Sequence, residues 1–353
     1  MQTQQRKSSQ PKVTNLKSLA NHLGLSQTTV SRALNGYSDV SIATKERVRK
    51  AAEELGYRPN ASARRLATGR SNVIGIAFPT EHSLLVEPNF MEFLAGLSEN
   101  AAANDADIMI SATTGFESDV YERFALRGSV DLVVLSNIYL SEERIGRLKQ
   151  LGLPFIVHGT APSSYSYAYL DIDNYSVFYE PTKLLLGLGH KRIAILNGER
   201  DRTFAIDRRN GYQSALEERD IQPDPELQYH SEMSESFGYA HMKKLLALKE
   251  PPTAVLCSHV LMAKGVYRAC SKAGKVVGRD ISVFAHDDVL PTFDVEQFEP
   301  PLATTRSSLR EAGKEVAQMA QRMLDGAPIE ELQQKWRVEF VYRPSIAAVP
   351  YKV

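Results

Sequence analysis

From Val73 onward, short apolar runs alternate along the chain with longer amphipathic runs. The short runs have the length of buried strands, and the longer runs have the length and periodicity of helices. Such alternation is typical of parallel βαβ units, because helices connect parallel strands and cover the sheet. The number of units favours two open sheets over one, so we expect two lobes with a cleft between them. Ligands of such sheets bind beyond the carboxyl ends of the strands, where we expect the site.

The predicted elements follow from this alternation. The predicted strands are residues 73–78, 107–112, 131–136, 154–158, 192–197, 253–257 and 281–285. The predicted helices are residues 89–103, 141–151, 175–188, 204–219, 236–248, 259–273 and 308–324. The lone tryptophan, Trp336, begins a segment to residue 341 that alternates like one further strand, so we expect it to be a packing residue.

The N-terminal part of the chain carries a helix-turn-helix pattern. A first short helix, Leu16–Leu23, places four apolar side chains on one face, and Gly24 allows a turn. Ser26 is placed to cap a second short helix, because its hydroxyl can accept from the free amides of the first turn. A third helix begins after Ser41 and ends near Leu55, and its apolar face would close a small three-helix core.

The exposed face of the second helix is polar and free of acidic residues; it consists of Gln27, Thr28, Ser31 and Arg32. Side chains of this kind suit base edges and phosphates in a major groove. Residues 1–70 carry a net charge of +9, and the rest of the neutral chain carries −9. This basic end predicts a polyanionic partner, and the alternative of a solvated charged tail is disfavoured because the charge coincides with the helix-turn-helix pattern.

A short Ala-rich segment follows the third helix. Asn60 is a capping residue there, but a single helix of this length is marginal in water on its own. If two copies pair over DNA, the helix could form on binding, with Arg64 near a phosphate and Leu66 as an apolar wedge in the minor groove. The alternative is an ordinary charged linker.

Composition excludes several other classes of protein. No apolar run approaches the roughly 20 residues that span a bilayer, and the polar N-terminus has no apolar segment of a signal peptide, so we expect a cytoplasmic protein without a membrane partner. Cys257 and Cys270 are the only cysteines, and no spacing of His, Cys and acidic residues matches a metal site. We therefore expect neither a metal nor a cofactor.

Two carboxylates, Asp171 and Asp173, alternate on an extended segment and share one side of it. They could act as a glycosidase pair, but no second pair with acid and nucleophile roles stands out. Alternatively, Asp171 hydrogen-bonds a sugar while Asp173 sets a turn or caps the next helix. No G-x-S-x-G elbow accompanies His286 and Asp287, so we expect no enzymatic activity.

Several motifs together resemble the LacI/GalR family of bacterial transcriptional regulators. They are NLKSLA at residues 15–20, LSQTTVSRALNG at 25–36, LGYRPN at 55–60, RSNVIG at 70–75, LGHKRIA at 188–194 and RRNGY at 208–212. The motifs are specific in combination, and the resemblance covers residues 14–345.

The resemblance implies a DNA-binding headpiece, a hinge helix and a dimerising core similar to periplasmic sugar-binding proteins. By position, the residues at DNA would be Thr14, Ser26, Gln27, Thr28, Ser31, Arg32, Asn35, Asn60, Arg64 and Leu66. The residues at a small sugar effector would be Asp171, Phe204, Arg208, His259 and Asp287. A guanidinium and a carboxylate together can bracket vicinal hydroxyls with charge-assisted hydrogen bonds.

Departures from the common family pattern bear on the effector. His259-Val260 stands where many members carry Asn-Asp, and Met233 stands where an aromatic residue often stacks on the ligand. Residues 158–159 and 284–291 look more like the subgroup that regulates α-glucoside uptake operons. This resemblance implies an α-glucoside such as sucrose, trehalose or maltose.

The predicted domains are a disordered tail (1–12), the headpiece (13–58), a hinge helix or linker (59–70), a two-lobed α/β effector-binding and dimerisation core (71–345) and a C-terminal tail (346–353). The predicted function is an allosteric repressor of a carbohydrate-utilisation operon. It would bind pseudo-palindromic double-stranded operator DNA as a homodimer or higher oligomer. The alternatives are a sugar-binding protein without DNA regulation, disfavoured by the basic headpiece, and a carbohydrate-active enzyme.

Overall fold

The computed structural model describes residues 15–34, 37–57, 69–79 and 88–349 of the chain. The chain divides into two compact units, Met1–Ser71 and Asn72–Val353. Within the described ranges, no helix is both long and apolar enough to cross a bilayer.

The first unit contains the predicted helix-turn-helix and a third helix. Its helices are α1 (Leu16–Leu23), α2 (Gln27–Leu34) and α3 (Ile42–Glu54). Gly24 ends α1 with a left-handed backbone at φ +62°, which a glycine adopts without a Cβ clash. The predicted cap is confirmed, because Ser26 Oγ accepts from the amide of Thr29 at 3.0 Å. All three helices contribute to one buried apolar cluster of Leu19, Ala20, Leu23, Val30, Ala33, Val48, Ala51 and Ala52.

The second unit alternates strands and helices as predicted. Its strands are β1 (Val73–Pro79), β2 (Asp107–Thr113), β3 (Leu132–Leu135), β4 (Phe155–His158), β5 (Ala168–Ile172), β6 (Ile193–Asn197), β7 (Gln228–His230), β8 (Ala254–Cys257), β9 (Ser282–Asp287), β10 (Ala303–Arg306), β11 (Gln333–Trp336) and β12 (Glu339–Val341). Its α-helices are α4 (Pro88–Ala103), α5 (Glu117–Arg127), α6 (Glu143–Leu151), α7 (Asn174–Gly187), α8 (Thr203–Glu217), α9 (Glu235–Leu246), α10 (Val260–Lys272) and α11 (Leu309–Leu324).

Two sheets form the two lobes of this unit. The first has the strand order β11-β5-β4-β3-β1-β2, and the second has the order β12-β10-β9-β8-β6-β7. Neighbouring strands are parallel, apart from the antiparallel pair β10 and β12. This architecture confirms the prediction of two open, mainly parallel sheets.

The chain passes between the lobes three times. It leaves the first lobe between β5 and α7, returns between β10 and α11, and leaves again between β11 and β12. The predicted single strand of residues 336–341 is therefore wrong: β11 ends at Trp336 in one sheet, and β12 begins at Glu339 in the other. Alternating polarity cannot reveal this division, because both short strands continue the same pattern.

Other elements were not among the predicted ones. Strand β7 is a half-buried edge strand of only three residues, and β10 has the sequence ATTR, which contains no apolar run. Helix α5 was missed as well. Its buried positions are Val120, Tyr121 and Phe124, while Leu126 on the same helix is 87% exposed, so the apolar pattern in the sequence is blurred.

Close helix packing fixes one wall of the cleft. A Cβ atom at Gly96 of α4 would lie 1.9 Å from the carbonyl oxygen of Arg310, and one at Gly313 of α11 would lie 2.1 Å from that of Phe93. Only glycine permits this approach of the two backbones. Because α4 and α11 both carry cleft residues, their close packing sets the position of those residues.

Candidate DNA-binding surface and effector cavity

The exposed face of α2 presents Gln27 and Thr28 to solvent. Arg32 on the same helix forms a salt bridge of 2.7 Å with Asp39, and its guanidinium carbon lies 4.8 Å from the ring centroid of Tyr37. Helix α2 itself carries no acidic residue, but the loop after it brings Asp39 against Arg32. Both side chains are about half exposed, and such pairs contribute at most about 1 kcal/mol, so Asp39 holds Arg32 only weakly.

The described part of the chain contains five of the ten predicted DNA-contacting residues. Ser31 is half-buried on α2, and Ser26 uses its hydroxyl in the cap of that helix. The remaining five, Thr14, Asn35, Asn60, Arg64 and Leu66, lie outside the described residues.

A cavity of about 170 Å³ lies between the two lobes. Its lining comes from the carboxyl ends of strands in both sheets and from the first turns of helices, as the sequence predicted for a ligand site. A single trapped water needs only about 10–15 Å³ of such space, so the cavity has room for a ligand of many atoms.

Arg208, which the sequence predicted at the effector, lines this cavity from α8 and is 4% exposed. Its Nε donates to Asn174 Oδ1 at 3.1 Å, and its Nη1 donates to the carbonyl of Ser258 at 2.8 Å. Burial lowers the pKa of Arg208 to about 10, against the attraction of Asp288 and Asp171, so the side chain stays charged at neutral pH. The two hydrogen bonds use two of the five N–H donors and fix the plane of the guanidinium.

Asp171 lines the cavity from the end of β5, in the first lobe. Its Oδ1 accepts from Asn174 Nδ2 at 3.2 Å, and its Oδ2 accepts from Thr160 Oγ1 at 2.7 Å. Burial raises the pKa of the Asp171 carboxyl, and the hydrogen bonds from Thr160 and from the amide of Ile172 oppose the rise. Asn174 therefore links Asp171 to Arg208 across the lobes.

Asp173 does not share the cavity with Asp171. It caps α7, because its Oδ2 accepts from Ser176 Oγ at 2.6 Å, and its Oδ1 lies 3.4 Å from Lys335 Nζ. The capping role that the sequence allowed for Asp173 is confirmed. The two carboxylates therefore do not face one substrate as a glycosidase pair does.

The other carboxylate of the cavity is Asp288, whereas the sequence pointed to Asp287. Asp287 lies outside the cavity lining and accepts from the amide of Val289 at 2.8 Å. Asp288 is 8% exposed, and its oxygens lie 3.3 Å from His286 Nε2 and 3.5 Å from His259 Nε2. Burial opposes ionisation of Asp288, but these histidines and Arg208 lower its pKa to about 2.

His259, also predicted at the effector, stands behind Asp288 and outside the cavity lining. Its Nδ1 accepts from the amide of Leu261 at 3.1 Å, so the neutral ring carries its proton on Nε2. That Nε2 donates to Asn89 Oδ1 at 2.9 Å, and Asn89 Nδ2 donates to Asp288 at 3.2 Å. Burial lowers the pKa of His259 to about 4, which keeps the ring neutral.

Apolar and aromatic groups complete the wall. Phe204 lines the cavity with its ring centroid 5.0 Å from the Arg208 guanidinium carbon. His158 stacks on Phe93 in the first lobe with ring centroids 4.4 Å apart. Met233 lines the cavity from the second lobe. Flat apolar surface beside fixed charges suits a ligand with both hydroxyl edges and C–H faces.

Sequence reasoning missed several lining residues, among them Asn89, Asn174, Asp288 and Ser308. Asn174 and Asp288 are each the immediate neighbour of a residue that the sequence analysis considered, Asp173 and Asp287 respectively. For Asn89 and Ser308 the available signal was their place in the first turn of a helix that faces the cleft.

Comparison with known proteins identifies the family. Residues 15–60 match the model for bacterial regulatory proteins of the lacI family, and residues 182–346 match that for a periplasmic binding protein-like domain. The HTH-type transcriptional regulator AglR of Rhizobium meliloti (strain 1021) is 44% identical over 344 residues, which cover 95% of each chain. The chain belongs to the LacI family of transcriptional regulators. The fold of this LacI-family regulator also matches solved structures over nearly its whole length.

Two of those structures contain ligands. The lac repressor dimer bound to operator and the anti-inducer ONPF has a TM-score of 0.77 and 25% identity, covering 95% of this regulator and 99% of that chain. The CelR–cellobiose complex has a TM-score of 0.68 and 25% identity, covering 94% and 99%. These matches confirm the predicted fold class of an N-terminal helix-turn-helix and a two-lobed core.

Proposed function

We propose that this regulator is a homodimeric repressor of a carbohydrate-utilisation operon and that a small sugar controls its binding to operator DNA. Its place of action is the bacterial cytoplasm, because its target is the operator. The proposed domains are the headpiece to residue 58, a hinge at 59–70 and the effector core from residue 71. The relatives reported above are regulators, which supports a function without catalysis.

The proposed DNA contacts lie on α2. Gln27 and Thr28 are exposed, and they lie in the positively charged N-terminal part of the chain. We assign them to base edges in the major groove. Arg32 would exchange Asp39 for DNA. Further contacts at or near phosphates would come from Thr14, Ser26, Ser31, Asn35, Asn60 and Arg64. Leu66 of one hinge would meet Leu66 of the second copy at the operator centre.

The observation that carries the sugar assignment is the hydrogen-bonded chain Asp171–Asn174–Arg208 in the cavity wall. It presents a carboxylate and a guanidinium in fixed orientation, and Asp288 adds a second carboxylate that stays ionised. Vicinal hydroxyls both donate and accept, so they match this set, while the ring of Phe204 offers a face for sugar C–H groups.

We further propose an α-glucoside as the effector. The support is the likeness of residues 158–159 and 284–291 to the subgroup of α-glucoside regulators, together with the position of His158 and Asp288 in the cavity lining. CelR, which forms a complex with cellobiose, shares the fold, and this supports a disaccharide as the effector here.

A thermal-shift titration with sucrose, trehalose and maltose tests this assignment, with the β-linked disaccharide cellobiose as the matched control. A ligand at 100 times its dissociation constant stabilises the native state by about 2.7 kcal/mol, which is readily measured. We expect at least one α-glucoside to raise the unfolding temperature and cellobiose to leave it unchanged. The absence of a shift with every sugar would refute the sugar assignment.

The variant Leu66→Ala tests the hinge separately. We expect weaker operator binding in a gel-shift titration and unchanged sugar affinity in calorimetry, because the proposed wedge acts only at DNA. An equal loss of sugar affinity would contradict a role confined to the hinge.

A further inference from the structure

Two loops from opposite lobes meet at the edge of the cavity. Residues 137–140 follow β3 in the first lobe, and residues 201–203 precede α8 in the second. The amide of Leu140 donates to the carbonyl of Asp201 at 2.9 Å, and the amide of Thr203 donates to that of Ile138 at 3.1 Å. Tyr139 and Arg202 form an isolated antiparallel bridge between them. We call these seven residues the clasp.

Arg202 is the side chain that ties the clasp together. Its Nη1 donates to the carbonyl of Asn137 at 2.7 Å, and its guanidinium carbon lies 3.9 Å from the ring centroid of Tyr139. Within its own lobe, its Nε is held by Glu199 at 2.9 Å. Arg202 is only 9% exposed, so these charge-assisted contacts are shielded from water and are stronger than those of a surface pair.

The first-lobe half of the clasp is itself fixed. Glu142 accepts from the amide of Tyr139 at 3.2 Å, and Arg144 forms ion pairs with Glu142 at 2.6 Å and with Glu117 at 2.9 Å. A loop held in this way forms the cross-lobe bonds with little further loss of conformational entropy.

The clasp and the cavity share part of their residues. Asn137, Ile138 and Thr203 line the cavity, whereas Tyr139 and Arg202 do not. Separation of the lobes at this edge must break two backbone hydrogen bonds, the contacts of Arg202 with Asn137 and Tyr139, and the bond of 3.4 Å from Thr203 Oγ1 to the carbonyl of Ile138.

We propose that Arg202 is a positioning residue that holds this edge of the effector cavity closed, so that opening of the clasp controls how fast a sugar enters and leaves. The existence of the clasp follows from contacts within the chain. Only its effect on sugar entry and release rests on the sugar-binding function proposed above.

A disulfide tests the closed clasp without any sugar. Bridged residues of antiparallel strands have Cα atoms about 4.5–5.5 Å apart, which lies within the range for a disulfide. The native Cys257 and Cys270 are buried, and burial raises the pKa of both thiols. We therefore expect few disulfides that involve the native cysteines under mild oxidation. We expect the variant Tyr139→Cys/Arg202→Cys to form an intramolecular disulfide under mild oxidation, while neither single variant does. This variant lacks the Arg202 side chain but keeps both backbone hydrogen bonds of the clasp, which bring the two loops together. Failure to form the disulfide without sugar would therefore show that the loops do not meet and would overturn the proposal.

Exchange kinetics test the role of Arg202. With whichever of sucrose, trehalose and maltose binds the wild-type protein, we expect Arg202→Ala to release the sugar about 10- to 100-fold faster, from the loss of one charged hydrogen bond. The association rate should rise as well, since opening no longer breaks these contacts. Arg200→Ala is the matched control, because Arg200 is exposed and forms no ion pair within the described ranges.

Tyr139→Leu provides a second variant, which removes the ring but leaves Arg202 and the backbone bonds. We expect a smaller acceleration of release and a thermal unfolding curve close to that of the wild type. Wild-type rates in both Arg202→Ala and Tyr139→Leu would overturn the proposal. If no sugar binds the wild-type protein, the proposed function fails, and the disulfide experiment still decides whether the clasp exists.

Discussion

Replacement of Arg208 by methionine separates the role of this residue in the sugar site from any role in stability. Burial lowers the pKa of Arg208 from 12.5 to about 10, a difference of about 2.5 units. One pKa unit corresponds to 1.36 kcal/mol, so the folded protein disfavours the charged form of Arg208 over the neutral form by roughly 3 kcal/mol more than water does. The residue is 4% exposed, so solvent screening reduces this figure little.

The contacts of Arg208 offset that disadvantage. Its two hydrogen bonds, to Asn174 and to the carbonyl of Ser258, are each worth about 1.5–3 kcal/mol as bonds from a charged donor. Methionine has a similar volume and no charge to desolvate, so Arg208→Met loses these bonds but also relieves the burial of the charge. We expect a net destabilisation of no more than about 3 kcal/mol.

Sugar affinity should respond much more strongly. A sugar that accepts one or two hydrogen bonds from the guanidinium loses about 1.5–3 kcal/mol for each, and hence about 10- to 10⁴-fold in affinity. Isothermal titration with the sugar that stabilises the wild type measures this loss, and a gel shift with operator should show retained DNA binding. Arg209→Met, on the same helix but outside the cavity lining, is the control. Unchanged sugar affinity in Arg208→Met would refute the assignment of the cavity.

Three further outcomes are expected. Arg32→Ala should weaken specific operator binding by about 1–3 kcal/mol in a gel-shift titration. Asp39→Ala is the control, because it removes the salt bridge to Arg32 and should not weaken binding. Equal affinity of Arg32→Ala and the wild type would show that Arg32 is not in the interface. Asp288→Asn should lower sugar affinity by at least tenfold in calorimetry while Asp287→Asn leaves it near the wild-type value, and the reverse order would restore the sequence-based choice of Asp287. The pKa of His259 falls from 6.5 to about 4 on folding, so between these pH values the unfolded chain binds a proton that the folded protein does not, and stability should decline as pH falls from 6.5 to 4. His259→Gln should reduce that decline by up to about 3 kcal/mol in denaturant titrations. A pH profile identical to that of the wild type would contradict this prediction.

Local chemistry made much of the fold predictable. The hydroxyl of Ser26 and the glycine at position 24 mark the two ends of a turn, and the structure has α1 at the predicted bounds and begins α2 directly after Ser26. In the core, seven strands were recognisable from apolar runs alone. The division at Trp336 was not, because a change of sheet between two polar-alternating strands leaves no trace in periodicity.

The site was predictable where a residue lies in a recognisable motif or on a recognisable segment. Arg208 was assigned from the resemblance of the motif RRNGY at residues 208–212, and Asp171 from its place on an extended segment, which is strand β5 in the structure. By contrast, the partners that fix them are ordinary polar residues. Asn174 and Asn89 act through bonds between segments distant in sequence, and only the assembled lobes show which atoms meet.

The position of the cavity relative to the crossings between lobes explains why a sugar can alter the geometry of the core. Asp171 and Asn174 flank the first crossing, and Ser307 and Ser308 form the second; all four line the cavity. The first and third crossings are joined directly, because the amide of Asp173 donates to the carbonyl of Trp336 at 2.8 Å. A ligand that shifts Asn174 therefore acts on the first and third crossings together, and its contact with Ser307 or Ser308 acts on the second. Since packed lobes move as rigid bodies about such connections, their mutual rotation is the expected output.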